Sequence, residues 1–159
     1  MIRKINFNSV EEIKNHIKAC QLFFDTIKEC GGTIPIEEQY YMGYCIGGDM
    51  RLDHQQKFGD VNCSYHMLEK DSIPLATIIL YENKNKEKDE DYPVFVVFSI
   101  ENNDKLLDYY QEMLEYVMSL GYKEIYAQII SNSDLLKKIK YMYITKSRYL
   151  NCIDIVRLL

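Results

Sequence analysis

Residues 94–130 constrain the fold more than any other stretch of this chain. Val94-Phe95-Val96-Val97-Phe98-Ser99-Ile100 is an almost unbroken apolar run of strand length, the composition of a strand covered on both faces. Apolar residues then recur at Leu106, Leu107, Tyr110, Met113, Leu114 and Val117, the steps of three and four that make one face of a helix. Gly121 supplies the stop, and residues 124–130 (EIYAQII) return to strand composition. A strand, an amphipathic helix and a second strand at these lengths describe a crossover unit.

The flanking chain extends this unit into a layered fold. Residues 2–7 alternate apolar and polar as a first short strand, and Ser9 precedes Glu12 at capping-box spacing. The helix that follows carries Val10, Ile13, Ile17, Cys20, Phe24 and Ile27 as one stripe, with His16 at its boundary and Gly31-Gly32 as the stop. Val61, Cys63, Tyr65 and Met67 alternate with polar residues as a half-buried strand. A turn over residues 69–74 leads to a strand over 75–81, and the charged loop 82–91 joins this to the central strand as a hairpin. Asn103 or Asp104 is expected to open the crossover helix, and Asn132 or Ser133 a short helix using Leu135, Leu136 and Ile139. Residues 149–158 close the chain as a strand. Hairpins followed by a crossover imply an α/β (α+β) fold, a mixed central sheet flanked by helices on both faces, in one domain over residues 1–159.

Composition narrows the function classes. The 159 residues are 47% hydrophobic and 27% charged, ordinary for a globular domain, and no apolar run reaches the length of a membrane span. The N-terminus lacks the apolar core of a signal peptide, so a cytoplasmic location is expected. Five cysteines, odd in number and without a CxxC pair, point to reduced thiols. A net charge of −5 disfavours non-specific nucleic-acid binding.

The element order, together with LLDYYQEMLEYVMSLGYKEIYAQIISNSDLLKKI, resembles the GNAT superfamily of N-acetyltransferases. The resemblance runs over roughly residues 75–155, about half the chain, and more loosely over the first strand and helix. It implies an acetyl-CoA site where the fourth strand parts from the fifth, and an amine acceptor. Members present a glycine-rich loop at a helix N-terminus, where unpaired N–H groups and the positive end of the helix dipole hold the pyrophosphate. Here the corresponding residues are Glu101-Asn102-Asn103-Asp104-Lys105, with neither glycine nor arginine. A carboxylate there competes for the same donors, so the cofactor site reads as lost or remodelled.

If acetyl-CoA binds, the resemblance assigns it to the strand-edge amides of Val96, Val97, Phe98, Ser99 and Ile100, to Asn102, Asn103 and Lys105, and to Asn132 and Lys137 near the short helix, whose neighbours Lys138 and Lys140 add basic charge. By the same resemblance Tyr141 or Tyr143 would protonate the departing thiolate, as a phenol of pKa near 10 can. The alternative is a non-catalytic module that uses the same scaffold for a protein partner, and a homodimer is compatible with either.

Other constellations carry less. Cys45, His54, Cys63 and His66 can be written as zinc ligands, but structural zinc uses tight pairs, and the strand period turns Cys63 and His66 to opposite faces, leaving a buried thiol and a surface imidazole. No metal is expected. Asp49, Asp53 and His54 suggest a polar loop site, for which a solvated loop is the simpler reading. The aromatic residues of 40–44 suit either an interface or a packed loop. The basic and aromatic run 137–149 reads as a solvated helix face leading into a strand.

Overall fold

The computed structural model describes residues 1–35, 63–85, 90–139, 141–144 and 152–158. Within these, the element order is β1 (Ile2–Lys4), α1 (Val10–Glu29), β2 (Cys63–Lys70), β3 (Ile73–Asn85), β4 (Glu90–Ser99), α2 (Leu106–Ser119), β5 (Tyr126–Ile130), α3 (Asp134–Lys138), β6 (Tyr141–Ile144) and β7 (Ile153–Leu158). The strands form one sheet of order β1-β2-β3-β4-β5-β7-β6. Neighbours are antiparallel except β4 and β5, which α2 joins in parallel. The fold is thus α/β with a mixed sheet, as the residue pattern predicts.

Alternation along β4 divides the interior. Val96, Phe98 and Ile100 pack with Ala19, Phe23 and Ile27 of α1 on one face. Phe95 and Val97 pack with Tyr110, Met113 and Val117 of α2 on the other. A strand covered this way carries apolar residues on both faces, which is why residues 94–100, Ser99 apart, show no alternation.

Ser9 caps α1, its hydroxyl accepting from the Glu12 amide at 3.3 Å. The Glu12 carboxylate does not close the expected capping box; it takes the Arg3 guanidinium at 2.6 Å and the Asn6 amide at 3.2 Å. Arg3 also binds Glu69 of β2. Both long helices end on a left-handed glycine, Gly31 at φ 86° and Gly121 at φ 99°.

Several expectations are corrected. His16 is not a boundary residue but 1% exposed, its Nδ1 2.7 Å from the Thr77 hydroxyl and its Nε2 3.5 Å from the Cys20 sulfur. The buried stripe of α1 is His16, Ala19, Cys20, Phe23, Phe24 and Ile27, which leaves Val10 exposed. A hydroxyl partner on β3 makes an imidazole acceptable on that face. His66 is likewise not at the surface but 3% exposed. β2 is covered on both sides, Tyr65 and Met67 meeting the α1 cluster and Leu68 the α2 cluster, so its polar phase is also interior. The His66 ring stands edge-on to Tyr116, with Nε2 2.8 Å from the Ser64 hydroxyl.

The turn expected over 69–74 is tighter, with β2 and β3 joined by Asp71 and Ser72 alone. Both ends of the expected charged loop are strand, since β3 runs to Asn85 and β4 starts at Glu90. The chain after α3 forms β6, a strand missing from the sequence-derived order. Val61, Lys140, Cys45, Asp49, Asp53, His54 and the aromatics of 40–44 lie outside the described residues, as do residues 145–151 of the basic and aromatic run. Among the described residues no group of three or more His, Cys, Asp or Glu is placed to hold a metal ion, and no helix is long and apolar enough to cross a membrane.

Candidate functional site

β4 and β5 pair at Val94↔Tyr126 and Phe95↔Ala127 and then part. The Ile100 amide donates to Leu75 on β3 at 3.1 Å. By the strand period, the amides of Val96 and Phe98 also face β3, while those of Val97 and Ser99 face the opening toward β5. Tyr110 of α2 sends its hydroxyl into that opening, accepting from the Val97 amide at 3.3 Å and donating to the Gln128 carbonyl at 2.7 Å. Burial holds its phenol well above the usual tyrosine range, so it stays protonated.

A cleft of about 440 Å³ opens from this point between the start of α2 and the end of α1. Phe23, Thr26 and Cys30 of the α1 side form one wall, and Asn103 and Asp104 the lip. Ile130, Ser133 and Lys138 form the wall beside α3. Neither Asn103 nor Asp104 caps α2. The cap residue is Lys105, at φ −108° and ψ 15°, and it makes no side-chain cap hydrogen bond. The Leu106 amide donates to the Asn103 carbonyl at 3.2 Å.

The side chains before the helix turn elsewhere. Asn103 Nδ2 donates to the Thr26 hydroxyl at 2.9 Å, and the Asn102 side chain accepts from the Asp104 amide at 3.0 Å. Glu101 pairs with Lys18 of α1 at 2.7 Å, an exposed pair that turns the carboxylate toward α1. Asp104 stays at the rim, which Glu29 and Asp134 make more acidic, with Lys138 the opposing charge lining the cleft. The Cys30 thiol is pushed up by burial first, then by Glu29 and Asp134, against a smaller opposing effect of Lys137. It is therefore poorly suited to act as a thiolate nucleophile.

Of the residues the sequence pointed to, Asn103 lines the cleft, and Val96, Val97, Phe98, Ser99 and Ile100 are buried in the strand edge beside it. Asn102 and Lys105 are exposed on the connection. Asn132, in the left-handed region at φ 63°, lines a separate cavity of about 60 Å³ with Gly32, Ser131 and Cys152. Lys137 is exposed beside Asp134 at 3.9 Å, and it is Lys138 that reaches the cleft. Tyr141 and Tyr143 are on β6, the sheet edge, at the level of Leu158 and Arg157 of β7. Sequence reasoning did not single out Tyr110, Thr26 or Cys30 as site residues. Tyr110 registers there as one more apolar-stripe position, and nothing local distinguishes Thr26 or Cys30.

No protein-family model matches the chain, and no curated protein matches it significantly in sequence. Solved structures do. The N-acetyltransferase PseH of Campylobacter jejuni, in complex with acetyl coenzyme A, superposes with a TM-score of 0.54 at 14% identity, covering 99% of this chain and 98% of its own. An N-acetyltransferase of Staphylococcus aureus gives 0.52 at 11% identity over 99% and 94%. A candidate GNAT-family acetyltransferase of Desulfovibrio desulfuricans gives 0.55 at 9% over 99% and 95%. At these identities the likeness concerns architecture, and the fold of this chain is that of the GNAT N-acetyltransferases.

Proposed function

We propose that this protein binds an acyl-CoA where β4 and β5 part and in the cleft that opens beside them, and transfers the acyl group to an amine. The observation that carries this reading is the parting of the two parallel strands beside a helix start that no side chain caps. Strand-edge amides suit the amide-bearing arm of the cofactor, and an uncapped helix start suits an anion. That PseH is seen with acetyl coenzyme A supports the choice of ligand.

The site would work by direct transfer. The amine nitrogen attacks the thioester carbonyl, the carbon–sulfur bond breaks, the nitrogen loses a proton to water or a base, and the thiolate gains one. The Ser99 amide and the Val97 carbonyl would hold the arm, with Asn102, Asn103 and Lys105 at the pyrophosphate and Lys138 along the other wall; Asn132 and Lys137 lie outside the cleft. Tyr141 or Tyr143 is the general acid of this reading, and Tyr→Phe at the responsible position should lower kcat by ~10²–10⁴-fold while leaving cofactor affinity in place.

A protein-binding module on the same scaffold is the second reading, favoured by the acidic rim of Glu29, Asp104 and Asp134. A thermal-shift titration with acetyl-CoA and CoA separates the two. Ligand at 100 times its dissociation constant adds about 2.7 kcal/mol, so a clear upward shift with both supports the first reading. No shift at millimolar ligand overturns it.

A further inference from the structure

The register of β4 and β5 gives the Tyr110 bridge a meaning beyond packing. After Phe95↔Ala127, the parallel ladder would continue with Val96 opposite Gln128. Its next rung would be a hydrogen bond from the Val97 amide to the Gln128 carbonyl. These are the two groups that the Tyr110 hydroxyl bridges, at 3.3 Å and 2.7 Å. One oxygen has been inserted into the first missing rung, with its lone pair facing the donor and its proton facing the acceptor.

The insertion satisfies both of these buried backbone groups, so the strands begin to part without orphaning either one. It is also rigidly placed. Tyr110 is 1% exposed, its ring sits 5.6 Å from that of Phe95, and it lines the cleft from within. We infer that Tyr110 is a positioning residue, a wedge carried by α2 that holds β4 and β5 apart and so forms the inner end of the acyl-donor cleft. Its effect on the ligand rests on the acyl-CoA reading; its effect on the strands does not. The opening is then a property of the free protein rather than something a ligand must create.

Tyr110→Phe tests this, because it removes one oxygen and keeps the ring. In a crystal structure of the variant, the Val97 amide should bond the Gln128 carbonyl directly at about 2.9 Å, lengthening the parallel ladder by one rung. Strands that stay parted, with a water in place of the phenol oxygen, would overturn the inference. With wild-type binding established, the dissociation constant of the variant for acetyl-CoA should rise tenfold or more. A closed rung with unchanged affinity would overturn the positioning role. A wild type that binds no acetyl-CoA sinks the cofactor reading, while the rung in the variant still decides the wedge. Should the variant fail to fold, proton NMR of the wild type decides: a slowly exchanging Tyr110 hydroxyl proton close to the Val97 amide is expected, and rapid exchange of that proton overturns the bridge.

Discussion

Gly32 and Cys152 meet so closely that a Cβ on residue 32 would stand 2.7 Å from the Cys152 Cβ and 2.9 Å from Ile27 Cγ2. The segment leaving α1 is thereby pressed against the start of β7. Gly32→Ala should destabilise the protein by about 1–3 kcal/mol, the usual cost of overpacking a closed site. Urea unfolding of the variant measures it. A change below ~0.5 kcal/mol would mean that the neighbours yield easily.

Two buried imidazoles make stability depend on pH. Burial pushes His16 down to about 4, and burial with a smaller effect of Lys4 pushes His66 down to about 4. In the unfolded chain both titrate near 6.5. Between these values the unfolded state binds more protons, so stability is full above about pH 6.5 and falls as pH drops toward 4. Each histidine should contribute on the order of 1–3 kcal/mol to that loss. Denaturant midpoints between pH 7 and 5 isolate the effect from most carboxylates, and a flat profile there would contradict neutral burial.

The β2–β3 turn carries removable strain. Asp71 and Ser72 have φ of 52° and 65°, the two-residue turn whose twist suits a hairpin but whose backbone suits glycine. Ser72→Gly, giving Asp-Gly, should raise stability by about 0.5–1 kcal/mol despite the greater freedom of the unfolded chain. Calorimetry would register this as a higher Tm.

Charge at the cleft rim should set acyl-CoA affinity in opposite directions. Asp104 and Lys138 both line the opening. Asp104→Asn should tighten acetyl-CoA binding roughly two- to fivefold, since a charge beside a helix start is worth about 0.3–1 kcal/mol, and Lys138→Ala should weaken it by a similar factor. Isothermal titration at two salt concentrations checks both, because the differences should shrink as salt screens them.

How far the fold was legible depended on whether the decisive contact was local. The stripe of α2 reads directly, since Tyr110, Met113 and Val117 are its buried residues. The phase of α1 was read less well. His16 looks polar on its own, and only Thr77, on a strand 61 positions away, makes it an interior residue. β6 was missed because Lys137, Lys138 and Ile139 continue as readily into a helix as into Tyr141–Ile144. The empty helix cap was hidden for a related reason. Asn103 is a good cap by type, and what removes it is Thr26 on another element. The wedge of Tyr110 was the least legible, because it depends on the register of two strands that are not neighbours in sequence.

The links from Lys18 to Glu101 and from Thr26 to Asn103 also bear on how the two sides of the sheet are joined. α1 lies on one face and α2 on the other, so the sheet insulates one layer from the other. Both contacts pass around its end and tie the leading edge of α2 to the flank of α1. A displacement of α1 would therefore be felt at the start of α2, so the two layers move as a linked pair although the sheet lies between them.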